Sequence, residues 1–299
     1  MRPPHAFEAM QGRTVPPSSA RESHALSVVG VAMQYQTPDG PVEALSDITF
    51  EVRPAEFIAV IGPSGCGKTT LFNIIGGLLG GFSGEVLIDE QSVRSTRGSV
   101  GMVFQEESTF PWRTTLENIA FPLEVAGMPK KERLDRALHF LRLVGLDGFE
   151  NRYPAELSGG MRQRTALART LAFEPKVLLL DEPFAALDSQ TRILVGDKVL
   201  QIQQELTQTT LLITHNLTEA VQLADRVVVM SYRPGRVKRI VDIDLPRPRS
   251  SENLGSSQFA RLVGTIWNDL REEATLGMSD TDGKAMTASP SAEASASRI

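Results

Sequence analysis

The segment FIAVIGPSGCGKT, residues 57–69, constrains the fold of this chain more than any other. Its first five residues are continuously apolar and rich in β-branched side chains, which reads as a strand buried on both faces. The next eight, GPSGCGKT at 62–69, fit the phosphate-loop pattern G-x-x-x-x-G-K-[ST] in full. Such a loop works between a strand and a helix. Its glycines let successive backbone N–H groups curl around phosphate oxygens, and the helix presents its positive end to the same oxygens. Lys68 is placed to reach the terminal phosphates of a nucleotide, and the Thr69 hydroxyl to ligate Mg²⁺. Gly62, Pro63, Ser64, Gly65, Cys66, Gly67 and Thr70 complete the expected nucleotide-binding stretch. The loop N–H groups and Lys68 are expected to favour a thiolate at Cys66.

Buried-strand patterns return at VLLL (177–180), TTLLIT (209–214) and RVVVM (226–230), separated by helical segments, so the fold class is α/β with a parallel sheet. Before the loop, residues 26–61 alternate in strand fashion around the turn signals TPDG and RPAE. From Pro111 the character becomes helical. Thr114 and Glu117 can form a capping box, and Pro129 can open a second helix with Leu134, Ala137, Leu138, Leu141 and Val144 on one face. After a last strand near 237–243, an amphipathic helix over 251–276 offers Phe259, Leu262, Val263, Ile266 and Leu270 at helical spacing. Residues 1–24 and 277–299 are Pro-rich or Ala/Ser-rich, carry few apolar residues, and are expected to be disordered.

Two further stretches carry chemistry. VLLLDE ends a buried strand in two carboxylates, so Asp181 can hold a metal's water shell and Glu182 can polarise an attacking water. In LSGGMRQR, from Leu157, Ser158 and two glycines stand directly before a helix, whose free N–H groups and dipole suit an anion. A net charge of -5 without a long basic run argues against general affinity for nucleic acid. The single cysteine excludes an internal disulfide or a Cys-cluster metal site, and no apolar run is long enough to span a bilayer.

With these motifs together, the chain resembles the ATP-binding cassette (ABC) family, the motor subunits of ABC transporters, over nearly everything from Leu26 to Ile243. The resemblance implies a P-loop NTPase of the ABC-ATPase type within residues 25–250. Its core sheet would be mostly parallel, with an N-terminal antiparallel β-subdomain and an inserted helical subdomain at about 106–165. It implies ATP and Mg²⁺ as ligands. Leu157, Ser158, Gly159, Gly160 and Gln163 match the signature, which in this family caps the γ-phosphate held by the phosphate loop of a second cassette. The resemblance also assigns Tyr35 to adenine stacking, Gln105 to sensing the metal and γ-phosphate, Asp188 to the D-loop that joins the dimer, and His215 to the switch position.

The stretch between Lys68 and Ser158 holds neither a heptad run nor a Cys cluster, which disfavours the competing reading of a soluble ATPase acting on nucleic acid, and a single cassette disfavours one acting on ribosomes, since the translation-associated relatives usually carry two. An importer subunit remains. It would be peripheral on the cytoplasmic face of the inner membrane, would pair with a second copy of itself and a separate permease, and would be served indirectly by a solute-binding protein. TFPWRTTLENIAFPLEVAG and RPGRVKRIVDIDLPRPR resemble the nitrate/sulfonate/taurine group, which implies a small anionic solute. Phe110, Pro111 and Trp112 are expected to line a docking groove for a permease helix.

Overall fold

The computed structural model describes residues 24–287 apart from 39, 95–98, 106–107, 186, 248 and 250, and only the backbone over 278–287. Strands β1 (Leu26–Thr37) and β2 (Gly40–Val52) form an antiparallel pair, and β4 (Ser83–Ile88) and β5 (Gln91–Ser92) extend it to a four-stranded sheet in the order β2-β1-β4-β5. The second sheet combines β3 (Phe57–Ile61), β6 (Val100–Val103), β7 (Val177–Asp181), β8 (Thr209–Ile213), β9 (Arg226–Met230) and β10 (Val237–Asp242) in the order β10-β9-β3-β8-β7-β6. All its pairings are parallel except β10 with β9. The fold is thus the α/β arrangement expected, with an antiparallel β-subdomain beside a mostly parallel core.

The reason for the unbroken apolar runs is visible in their side chains. In β3, Phe57, Ala59 and Ile61 enter one core while Ile58 and Val60 enter the other. Strand β7 divides in the same way, with Leu178 and Leu180 on one face and Val177 and Leu179 on the other. A period of two with both faces covered leaves no polar position. The first core is roofed by helices, the second by the β-subdomain and α1 (Lys68–Ile75).

The helical insertion contains α2 (Thr115–Val125) and α3 (Lys130–Leu143) and leads into α4 (Gly159–Ala172). Thr114 and Glu117 make the reciprocal capping box at the start of α2. Ala137, Leu141 and Val144 are buried as the periodicity predicts, and Phe140 joins them. Helices α5 (Ser189–Glu205) and α6 (Leu217–Leu223) follow β7 and β8.

The C-terminal helix α7 spans Ser257–Thr287, so it starts later than expected, after a 3-10 turn at Ser251–Gly255, and continues past residue 276. Phe259 and Ile266 enter the first core, with Leu262, Val263 and Leu270 packed against it. The extension beyond 276 has a packing partner: a Cβ added at Gly277 would lie 2.9 Å from the Tyr232 ring, so ring and helix backbone are in direct contact. The expected N-terminal extension lies outside the described residues, as does the tail after 287.

Candidate active site

The parallel register gathers the site at one edge of the sheet. Val60 pairs with Ile213, Asp181 with Ile213, and Val103 with Leu180. The segments leaving the C-terminal ends of β3, β6, β7 and β8 therefore carry Gly62–Thr69, Gln105, Asp181 with Glu182, and His215 to the same place, where ligands of open α/β sheets bind.

The phosphate loop is held by close approaches that only glycine permits. Gly67 precedes α1 with φ at 94°, and a Cβ there would lie 2.6 Å from Leu45 Cδ2 and 2.9 Å from the Ala44 carbonyl. Lys68 Nζ donates to the carbonyl oxygens of Gly62 at 2.8 Å and Pro63 at 3.0 Å, which centres the ammonium in the loop. A cavity of about 380 Å³ opens in front, lined by Tyr35, Ser64, Gly65, Lys68, Thr69 and Thr70, among others. Tyr35 lies in β1, an inner strand of its sheet, and its hydroxyl is 3.2 Å from Thr70 Oγ1. The ring therefore borders the same cavity as the loop.

Cys66 departs from expectation. It is fully buried, and burial pushes its thiol above the usual value despite Lys68 Nζ 3.8 Å from Sγ. Desolvation of the charged form outweighs the nearby ammonium, so Cys66 is a neutral packing residue beneath the loop, not a thiolate.

Asp181 is buried at the end of β7, and burial together with the adjacent Glu182 charge raises its carboxyl to about 6, with Lys68 opposing. Asp181 and Glu182 crowd two carboxyls together and Glu182 borders the same cavity as Thr69, hard oxygen donors of a kind that suits a divalent cation such as Mg²⁺. Glu182 itself adopts a left-handed φ of 45°, uncommon for a residue with a side chain, and its N–H is held by the Ile213 carbonyl at 2.8 Å. His215 Nδ1 lies 3.0 Å from Glu182 Oε1, so the second carboxylate after β7 and the histidine after β8 meet within one chain.

Two residues absent from the sequence reading support this pair. Buried Glu219 accepts from Thr214 Oγ1 at 2.6 Å and is ion-paired to Arg192 at 3.4 Å. Arg192 in turn donates to the Leu187 carbonyl at 3.0 Å. The strand end before His215 is thereby tied to the segment before Asp188. No local motif announces such contacts, because the partners come from different helices.

The signature lies elsewhere. Ser158 caps α4, its Oγ accepting from Met161 N–H at 3.3 Å, and Gly159 and Gly160 form the first turn. Leu157 is buried beneath them. A Cβ on Gly160 would lie 2.8 Å from Leu187 Cδ2, which packs the helix start against the D-loop. None of the residues 157–163 lines the cavity in front of the phosphate loop. Gln163 instead borders an apolar pocket with Leu167, Leu180 and Phe184, where its buried Oε1 lacks a hydrogen-bond partner among the described residues. Asp188 caps α5, accepting from Gln190 and Thr191 N–H at 3.1 and 3.0 Å, and the Thr191 bonds lower its carboxyl. Gln105 is exposed beyond β6, and Glu106 and Glu107 lie outside the described residues.

On the insertion, Trp112 is 71% exposed, with the Phe110 ring 5.6 Å away and itself edge-to-face with Phe121. A groove of about 590 Å³ runs past Trp112, Leu116, Ala120 and Leu134 and the charged Glu117, Lys130 and Arg133; Phe110 and Pro111, expected in such a groove, do not line it.

Comparison with known proteins agrees with this geometry. The family described as ABC transporter matches residues 45–185. An uncharacterized ABC transporter ATP-binding protein of Methanocaldococcus jannaschii is 47% identical over 82% of this chain and 91% of its own length. The aliphatic sulfonates import ATP-binding protein SsuB of Bacillus cereus is 43% identical over 80% of this chain and 94% of its own. Among solved structures, the ATP-binding cassette MJ0796, in a dimeric post-hydrolysis state bound to ADP and Pi, superposes with a TM-score of 0.66 at 32% identity, covering 74% of this chain and all of that one. With the phosphate loop, the paired carboxylates and the signature helix all in place on a shared fold, the chain belongs to the ABC transporter ATP-binding family and is an ATPase.

Proposed function

We propose that this chain is the motor subunit of an importer for a small anionic solute of the sulfonate, taurine or nitrate kind, acting as a pair of copies beneath a separate permease on the cytoplasmic face of the inner membrane. The observation that carries the paired site is the separation within one chain of the signature from the phosphate-loop cavity. A helix start with free N–H groups has no phosphate to bind unless a second copy presents one. Head-to-tail pairing would supply two such sites at once. The solved relative named above is itself dimeric.

In each composite site, Lys68 and the loop N–H groups hold the β- and γ-phosphates, and Tyr35 carries the adenine. Thr69, Asp181 and Gln105 would hold Mg²⁺, which neutralises phosphate charge when bound. Glu182 orients the attacking water and takes up its proton, while His215 keeps the carboxylate aligned through the contact at 3.0 Å. Ser158, Gly159 and Gly160 of the second copy close on the γ-phosphate, and Asp188 joins the two copies.

The solute class rests on similarity to the SsuB proteins, and the solute itself is bound by the permease and a solute-binding protein rather than by this chain. The groove beside Trp112 would take a cytoplasmic permease helix, its exposed indole supplying apolar area at the contact.

Complementation tests the composite site. Mixing Lys68→Ala with Ser158→Arg leaves one intact site per mixed dimer, so two inactive variants should regain ATPase activity together. Mixtures as inactive as their components would rule the arrangement out. For the solute, ATPase activity of the reconstituted importer should rise with a sulfonate- or taurine-loaded binding protein. Stimulation by sugars or peptides alone would reject the solute class.

A further inference from the structure

The RPGR turn between β9 and β10 reads in the sequence as a plain hairpin turn, yet the structure wedges it against the phosphate loop. Gly235 N–H donates to the Ala44 carbonyl at 3.0 Å, and Ser46 N–H donates to the Gly235 carbonyl at 2.9 Å. A Cβ on Gly235 would lie 2.0 Å from the Cys66 carbonyl oxygen, so turn and loop touch backbone to backbone. The contact carries Arg233 to the mouth of the nucleotide cavity, where its Nη2 would be 3.4 Å from a Cβ on Gly65. Among the described residues, Arg233 and Lys68 are the cations that line that cavity and Glu182 its one carboxylate. Among the described residues no hydrogen bond or ion pair engages the Arg233 side chain, although most other arginines of this domain are paired or hydrogen-bonded.

From this geometry we infer that Arg233 is a second cation for the nucleotide's phosphates, acting from the same chain as Lys68, and that α7 positions it. The first part rests on the phosphate loop being the nucleotide site. A guanidinium offers several donors in one plane and suits phosphate oxygens. It would meet the nucleotide at the cavity mouth, beside Gly65 of the loop. The second part rests on the residue before it. Tyr232 N–H donates to Glu273 Oε2 of α7 at 2.7 Å, and Glu273 is nearly buried and paired with Lys238 at 2.8 Å. The Tyr232 ring also lies on Gly277 of the same helix. The C-terminal helix thus grips the backbone that aims Arg233, and Glu273 is a positioning residue.

The test measures ATP affinity of the full chain by calorimetry, with Lys68→Ala as reference. Arg233→Ala should weaken ATP and ADP binding about tenfold or more, the size of one charge-assisted contact, and flatten its salt dependence. Arg233→Lys should recover part of the affinity. Glu273→Ala should weaken binding less. Glu273→Gln, which keeps an acceptor for Tyr232 N–H, should restore it, and Glu273→Ala should add little in an Arg233→Ala background. Arg233→Ala and Arg233→Lys both binding ATP within twofold of the parent would overturn the contact, as would a loss confined to ATP-driven dimerisation. A Glu273→Ala defect that Gln does not repair would overturn the positioning role. If Lys68→Ala also binds ATP normally, the fault lies with the phosphate-loop reading itself.

Discussion

Asp181 shows how a single residue can set against stability what it supplies to chemistry. Its carboxyl titrates near 6 rather than the ordinary 3.8, because burial and Glu182 both disfavour the charge. The native state therefore holds an extra proton between those values. Stability from this group is present at low pH and is lost as pH rises through about 6. Asp181→Asn should accordingly raise the melting temperature of the nucleotide-free protein at pH 7.5, by roughly 3 °C or more, with the difference closing at pH 4, while abolishing ATPase activity. An equal or lower melting temperature at pH 7.5 would contradict this reading of the site. Cys66 reverses the expectation drawn from its neighbours: a buried, neutral thiol should react slowly with iodoacetamide at pH 7.5, at similar rates with and without Mg-ATP. Rapid labelling blocked by ATP would restore the thiolate. The positions of Lys68, Asp181 and Glu182 were legible in the sequence because short motifs mark the ends of β3 and β7, Lys68 opening the helix that follows β3, while His215 after β8 was singled out by the family resemblance. Arg192 and Glu219 were not, since their partners lie on other elements, and Arg233 reaches the cavity only because its turn packs on the phosphate loop.

Among elements, the strands that cross the core were the most legible, for β3 is apolar throughout and β7, β8 and β9 each carry at least three consecutive apolar residues. Strand β4 carries exposed residues Ser83, Gly84 and Glu85 at its start, so its pattern alone is weak and its place depends on pairing with β1. The extent of α7 was hidden for a similar reason, since the contact between Gly277 and Tyr232 joins segments distant in sequence. Its anchor is nonetheless apolar burial. Ile266 is fully buried in the first core, and Ile266→Ala should lower unfolding free energy by about 2–5 kcal/mol in urea denaturation. A loss below 1 kcal/mol would mean that the helix is not part of the folded unit. The α2–α3 insertion makes the opposite kind of statement. Trp112 is exposed, so Trp112→Ala should leave ATP affinity and stability nearly unchanged while weakening co-purification with the permease. A variant that loses ATP binding or unfolds, or one that keeps its partner undiminished, would remove the groove from the docking role.

For the whole molecule, two cores pack on either side of one sheet, with the phosphate loop at its cavity and the start of the signature helix away from that cavity. Completion by a second copy is the central claim. Glu182→Gln removes the carboxylate proposed to orient water but keeps the phosphate loop, the signature and the nearby His215, so nucleotide should bind without being consumed. Light scattering on this variant at saturating Mg-ATP, alone and with permease present, measures the claim directly. The composite site requires the mass to double on adding Mg-ATP and to fall back when nucleotide is removed or when Ser158→Arg is added to the same chain; a mass that stays monomeric under both conditions contradicts it.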